Sequence, residues 1–174
     1  MKSFGKTYGN NKFRLISYPR FSASITDFER DLDIIEFAED FIPDVIITDY
    51  IDIFKPDGSI GEHRHDIDRL WMHHARMSSE RHALVITANQ AKMQSWDKKN
   101  VRASDSSENY RNPAHVDIML TLNQTPQEKK RGIMRVAMVA AREEEFHEFE
   151  DVTMLQQLAA GQVFIDSEKI KQGD

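Results

Sequence analysis

The sequence contains no cysteine, and it has neither a signal peptide nor an apolar run of 18 residues. The absence of cysteine excludes disulfide bonds and thiolate metal sites. The absence of long apolar segments argues against export and membrane insertion. We therefore expect a cytoplasmic protein of a bacterial or phage-infected cell.

The sequence also lacks an excess of positive charge. Its formal net charge is −6 at pH 7, so any nucleic-acid contact has to come from local basic patches, and the charge argues against a histone-like binder. With 174 residues, 40% of them hydrophobic, the chain is long enough for one compact domain with a core. We treat residues 1–174 as that single domain.

Hydrophobic periodicity in the first half predicts strands alternating with helices. Alternation over residues 13–18 predicts a strand, and Thr26 with Glu29 fits a capping box that begins a helix. Consecutive β-branched residues 45–47 predict a strand buried on both faces. A helix to about Arg81 and a strand over 83–90 follow.

The second half reads as a loop followed by consecutive strands. Residues 91–112 are polar and without period, which predicts a long, mobile loop with at most one helical turn. Strands are predicted at 116–122 and 133–142, joined by a charged hairpin tip, and residues 152–166 close the chain as two strands or as a strand and a helical turn. The fold class is therefore α/β, with a central parallel sheet and antiparallel strands added at its C-terminal edge.

Three polar residues lie at predicted strand ends, where ligands gather in such sheets: Asp49, Gln90 and Arg142. Asp49 could accept hydrogen bonds from water bound to Mg²⁺, or it could simply cap a turn. Gln90 could contact a terminal phosphate or position a water, or it could satisfy a loop. Spacing alone leaves both alternatives open.

Taken together, three segments go further than spacing. PDVIITDYIDIF (43–54), ALVITANQ (83–90) and AHVDIMLTLNQTPQEKKRGIMRVAMVAAR (114–142) resemble the RecA-like ATPase core of DnaB-type replicative helicases, especially their phage-type relatives. The resemblance runs from about residue 11 to about residue 145. It implies a partial RecA-like fold and ATP-driven DNA unwinding by a hexameric ring.

The resemblance also implies roles for the three strand-end residues. Asp49 matches the family's magnesium-associated carboxylate. Gln90 matches the glutamine that contacts the terminal phosphate of ATP. Arg142 matches an arginine that reaches the neighbouring subunit's nucleotide. The family has a lysine two residues before that arginine, and here Ala140 stands in its place. Loss of that second cation predicts impaired hydrolysis between subunits.

Such ATPases begin with a phosphate loop, GxxxxGK[ST], for which we find no match. Gly5, Lys6 and Thr7 spell GKT, but Met1 leaves no room for the first glycine. We therefore expect weak or absent binding of Mg²⁺ and ATP by this chain alone. A separate chain bearing the phosphate loop would complete the site. Apolar surface and a bare strand edge left without that half predict self-association as a dimer or larger assembly.

The loop 91–112 stands where the family places segments that face the DNA channel. Its cations could meet phosphates of single-stranded DNA, and Trp96 could stack on a base; the cations are Lys92, Lys98, Lys99, Arg102 and Arg111. Interleaved acidic residues make a merely solvated loop an equal alternative.

Two further readings compete with a helicase-type enzyme fragment. One is a non-catalytic, degenerate RecA-like module that binds DNA or protein. The other is a metal-dependent hydrolase that uses Asp49 and the histidines at 63, 65, 73 and 74. No pair of these histidines has the i, i+4 spacing of a helical zinc site, so a solvated or subunit-facing helix is the better interpretation.

Overall fold

The computed structural model describes residues 13–56, 58, 63–95, 98–105, 114–142 and 151–170. Its elements are α1 (Ile25–Glu39), β1 (Val45–Thr48), α2 (His63–Arg81), β2 (Leu84–Thr87), β3 (Ile118–Asn123), α3 (Pro126–Lys130), β4 (Ile133–Ala141), β5 (Asp151–Gln157) and β6 (Gln162–Ile170). Strands β1 and β2 form a parallel pair, and the other four form an antiparallel sheet in the order β3-β4-β5-β6. The α/β class with parallel and antiparallel strands is confirmed. Within the described ranges, the antiparallel strands form a sheet of their own.

Most of the predicted elements are present near their expected bounds. The helix ending at Arg81 is confirmed, as are the strands at β2, β3 and β4, and the closing segment forms two strands. The loop after β2 contains two 3-10 turns, Met93–Ser95 and Ala103–Asp105, where at most one turn was predicted. None of the helices in the described ranges is long and apolar enough to span a membrane.

Helix α1 begins two residues earlier than its predicted capping box. The Ser24 hydroxyl accepts from the Asp27 amide at 3.2 Å, and the Ser24 amide donates to the Asp27 carboxylate at 3.1 Å. The prediction of Thr26 with Glu29 was wrong because Ser24 has the extended backbone that an N-cap requires. This start places Phe28 and Leu32 in the core.

The predicted strand at 13–18 is also wrong: these residues have no regular secondary structure. An alternating pattern forms a strand only when a neighbouring backbone pairs with it, and in the described ranges none does. Ile16 and Tyr18 nevertheless pack against the core. The Tyr18 hydroxyl also donates to the carboxylate of Asp31 on α1.

The core lies where α1 and α2 pack together on one face of β1. It contains Phe28 and Leu32 of α1, Ile46 of β1, and Leu70 and Met77 of α2. Ion pairs join the two helices along their exposed edge: Arg76 contacts Glu29 at 2.9 Å, and Arg81 contacts Asp33 and Glu36.

No described helix or strand covers the opposite face of the parallel pair. Val45, Ile47, Leu84 and Ile86 are 49%, 67%, 58% and 43% exposed. The prediction that β1 is buried on both faces was wrong, because both long helices pack on the other side. The exposed apolar surface expected from the sequence is present.

The connection between β3 and β4 is a short helix where a hairpin tip was predicted. Thr125 and Glu128 form a capping box at its start, and Gly132 ends it with φ +67°. A Cβ at Gly132 would lie 2.3 Å from the carbonyl oxygen of Gln156, so only glycine fits this turn.

Candidate functional site

Strands β1 and β2 end side by side, and hydrogen bonds tie the segments that follow them. Thr48 and Thr87 are paired in register, and the Thr87 hydroxyl donates to the Thr48 carbonyl at 3.1 Å. The Ile51 amide donates to the Ala88 carbonyl at 3.1 Å. The residues after both strands are therefore held at one edge of the sheet.

Asp49 and Gln90 lie at this edge, linked by Tyr50. The Gln90 amide nitrogen donates to the Tyr50 hydroxyl at 3.3 Å. Asp49 precedes Tyr50 through a cis peptide bond, and Asp49 and Gln90 are both exposed. The structure thus brings the two residues into one small region, as their strand-end positions predicted. Tyr50 was not predicted as a site residue, although it directly follows the candidate aspartate.

His74 of α2 contacts the last residue of β1 at this edge. Its Nδ1 contacts the Leu70 carbonyl at 2.7 Å, and its Nε2 contacts the Thr48 hydroxyl at 3.0 Å. A carbonyl only accepts, so Nδ1 carries the proton and Nε2 accepts from Thr48. His74 is 4% exposed, and burial lowers its pKa. The prediction of a solvated or subunit-facing helix was wrong for this residue; its spacing from Leu70 and Met77 was the available signal.

A cavity of about 190 Å³ adjoins the strand end. Its lining includes the aromatic rings of Tyr18, Phe28, Tyr50 and Phe54, together with Asp49 and Thr48. In the described part of the chain, no group of three or more His, Asp or Glu residues could hold a metal ion directly. The single exposed carboxylate of Asp49 could hold Mg²⁺ through its bound water, but it cannot by itself supply the several direct protein ligands of a closed metal site.

Arg142 lies elsewhere, just past the end of β4. Its guanidinium donates to the Asp117 carboxylate at 3.2 Å and to the Ala114 carbonyl at 2.7 Å. Both side chains of the ion pair are exposed, 53% for Arg142 and 82% for Asp117. Across the described residues, no hydrogen bond joins Arg142 to Asp49 or Gln90.

In the candidate nucleic-acid loop, Lys98 forms a hydrogen bond within the loop. Lys98 donates to the carboxylate of Asp105 at 2.6 Å, and the Arg102 amide donates to the same carboxylate at 2.9 Å. The Lys98 hydrogen bond, followed by that of Arg102, lowers the pKa of the buried Asp105 to about 2. Lys98 therefore has a structural partner already.

The other predicted cations differ in exposure. Lys92 is half-buried, and its ammonium donates to the Ser104 carbonyl at 3.1 Å. Lys99 and Arg102 are exposed. Trp96 and Arg111 lie outside the described residues.

Arg135 organises this region, and it was not predicted from the sequence. It is 8% exposed and donates to Glu128 at 2.7 Å and to Asp151 at 2.9 Å. Its guanidinium also donates to the Lys99 carbonyl and to the side-chain oxygen of Asn100. The only sequence signal was a charged residue inside an otherwise apolar strand pattern.

Comparison with solved structures places this arrangement on a known fold. The chain superposes on a structure described as an ATPase domain with a TM-score of 0.69 and 15% identity, over 83% of this chain and 52% of that one. A structure of a DnaB-like replicative helicase and its interactions with primase gives a TM-score of 0.67 and 16% identity, over 78% and 34% of the two chains. The chain has the fold of part of a DnaB-like helicase ATPase domain.

The chain spans about half of the first of these structures and about a third of the DnaB-like helicase chain. No protein-family model matches the sequence, and no curated protein matches it. At 15–16% identity, the similarity to the DnaB-like domains is one of fold.

Proposed function

We propose that the chain forms the part of a DnaB-like, RecA-fold ATPase that carries the magnesium-associated aspartate and the glutamine that contacts the terminal phosphate of ATP. The observation that carries this proposal is the contact between Gln90 and Tyr50 beside Asp49, at the ends of adjacent parallel strands. Ligands in such sheets bind outside the carboxyl ends of the strands. The fold shared with the two solved structures supports the same assignment.

In this proposal Asp49 accepts hydrogen bonds from the waters of Mg²⁺, and Gln90 contacts the terminal phosphate of ATP. Bound Mg²⁺ would neutralise charge that develops on the phosphates. Most phosphate contacts in such ATPases come from a phosphate loop, and the 174 residues contain no GxxxxGK[ST]. A segment with that loop, on this polypeptide or another, completes the nucleotide site.

Arg142 would act on the nucleotide of a neighbouring subunit in a ring. To do so it must leave Asp117 and the Ala114 carbonyl. The exposed ion pair contributes only about 0–1 kcal/mol, and water can replace the exposed hydrogen bond. The bare apolar face formed by Val45, Ile47, Leu84 and Ile86 supports association, because large exposed apolar patches mark binding surfaces. Single-stranded DNA would meet the loop after β2 through Lys99 and Arg102. The complete enzyme would unwind DNA in the cytoplasm of a bacterial or phage-infected cell.

Binding of a fluorescent ATP analogue tests the nucleotide part of the proposal. The chain is titrated with and without Mg²⁺, alone and mixed with a polypeptide that bears a phosphate loop; the product of the adjacent upstream reading frame is the first to try. We expect Mg²⁺-dependent binding only in the mixture. Asp49→Asn and Gln90→Ala should weaken it, whereas the control Asp44→Asn, an exposed aspartate just before the other end of β1, should not.

Two outcomes would each contradict one part of this proposal: the first the need for a further phosphate-loop segment, the second the nucleotide site itself. ATP turnover by the chain alone, abolished by Asp49→Ala, would mean that no separate phosphate loop is needed. Absence of binding in both conditions would favour the non-catalytic module, in which the nucleic-acid loop and the apolar face are the functional parts.

A further inference from the structure

The loop segment 98–105 is fastened to the antiparallel sheet by two buried side chains. Arg135 of β4 donates to the Lys99 carbonyl at 2.5 Å and to the Asn100 side chain. Asn123 of β3, 2% exposed, accepts from the Val101 amide at 2.8 Å. The segment is therefore held against the sheet, and its exposed cations Lys99 and Arg102 have a defined backbone position.

A cleft of about 290 Å³ separates this segment from β4. Val101 and Ala103 form one wall, and Ala137 and Val139 of β4 form the other. Asn100, Arg102 and Ser104 add polar groups to the lining. The cleft thus combines small apolar walls with a cation and hydrogen-bonding groups.

The volume and the lining residues limit the size and the chemistry of a ligand that fits the cleft. Ligand pockets for drug-sized molecules measure about 300–1,000 Å³, so this cleft suits one ring system. The small apolar walls can contact a flat ring, and Arg102 beside them can contact an attached anion. A nucleotide has both parts, a base and a phosphate. A base in a duplex is stacked and paired, whereas a base in a single strand is free to enter at low cost.

We propose that this cleft takes one base of single-stranded DNA, with Arg102 and Lys99 on the adjacent phosphates. The proposal rests on the proposed nucleic-acid binding of the loop and adds a base subsite to it. Base contacts of this kind are sequence-tolerant, because every base has an apolar face. Binding should therefore depend on the presence of bases and not on their order.

The test compares three ligands by fluorescence anisotropy at low salt, where phosphate contacts are strong. They are an oligothymidylate of about ten nucleotides, which falls within the usual site sizes, an abasic oligonucleotide of the same length, and free dTMP in competition. Ala103→Leu and Val139→Phe fill the cleft from opposite walls, so one variant serves if the other fails to fold. Ala159→Leu makes the same change as Ala103→Leu on an exposed turn and is the matched control.

We expect the oligothymidylate to bind about tenfold more tightly than the abasic strand, because burial of about 55 Å² of base surface against apolar walls accounts for a factor of that size. Either cleft-filling variant should reduce its affinity to that of the abasic strand and leave abasic binding unchanged. Equal affinity of the two strands for the wild-type chain would overturn the base subsite and leave the proposed DNA binding intact. If neither strand binds, both proposals fail. Competition by dTMP as strong as by the strand would assign the cleft to a free nucleotide and overturn the proposal as well.

Discussion

Replacing Arg135 with methionine should destabilise the chain strongly, because Arg135 is a buried cation with several hydrogen-bond partners. The guanidinium is buried and donates to two carboxylates, Glu128 and Asp151, and to the loop at Lys99 and Asn100. Methionine fills a similar volume but leaves those acceptors without their donor. The Asp151 carboxylate is itself buried and, among the described residues, one of its oxygens already has no hydrogen-bond partner.

The magnitude follows from the burial of the ion pairs. Removing one partner of a buried pair costs about 3–5 kcal/mol because an uncompensated charge remains. Glu128 keeps 21% of its side chain exposed, so water compensates part of its charge and the lower end applies, about 3 kcal/mol. For a domain of this size that corresponds to a melting temperature about 6–12 °C lower.

Lowering the pH should reduce the difference in unfolding free energy between the wild type and Arg135→Met. The Arg135 hydrogen bond lowers the pKa of Glu128 to about 2, below the ordinary 4.5. A carboxyl with a lowered native pKa stabilises the fold fully above pH 4.5, and this contribution is lost as pH falls towards 2. Between pH 4.5 and 2 the wild type therefore loses a stabilising contribution that is absent from Arg135→Met at every pH.

Urea unfolding at pH 7, 5 and 3 measures these free energies. Arg131→Met is the matched control, because Arg131 is exposed and lies only four residues away. A loss below about 1 kcal/mol for Arg135→Met at pH 7 would refute the reasoning, since exposed ion pairs alone account for that much.

Three further predictions concern other parts of the structure. His74→Gln should abolish a pH dependence of the free energy of unfolding. Burial lowers the native pKa of His74, so the wild type is most stable above pH 6.5 and loses up to about 1.4 kcal/mol per pH unit below it. If the unfolding free energies of wild type and variant, measured in urea, change equally from pH 7.5 to 5, this reasoning is contradicted. Gly132→Ala should cost about 1–3 kcal/mol through its positive φ and the clash with Gln156, whereas Gly161→Ala, with φ +70° and open space, should cost less; thermal melts compare the two, and equal losses would exclude the clash. Lys98→Ala should lower the free energy of unfolding by about 1 kcal/mol, because it removes the donor to buried Asp105. Lys99→Ala should weaken DNA binding and leave the melting temperature unchanged. If Lys98→Ala instead weakens DNA binding and Lys99→Ala lowers the melting temperature, Lys98 is the DNA contact.

The distinction between Lys98 and Lys99 illustrates what composition and spacing leave open. Both lysines lie in a polar loop, and the sequence treats them as equivalent phosphate contacts. The structure separates them because Asp105, seven residues along the chain, turns back onto Lys98 and is buried there. That contact depends on the path of the loop, which no local pattern encodes.

By itself the sequence determined the order and type of most elements, because β-branched runs, apolar periodicity and breakers act over a few neighbouring residues. It also located Asp49 and Gln90 at strand ends, and parallel pairing of β1 with β2 then places them side by side. The sequence could not indicate that residues 13–18 lack a strand partner, that both helices leave one face of β1 bare, or that Arg135 and His74 are buried and hydrogen-bonded. Only the tertiary structure decided these features, because each depends on which segments, distant in the chain, supply hydrogen-bond partners and exclude water.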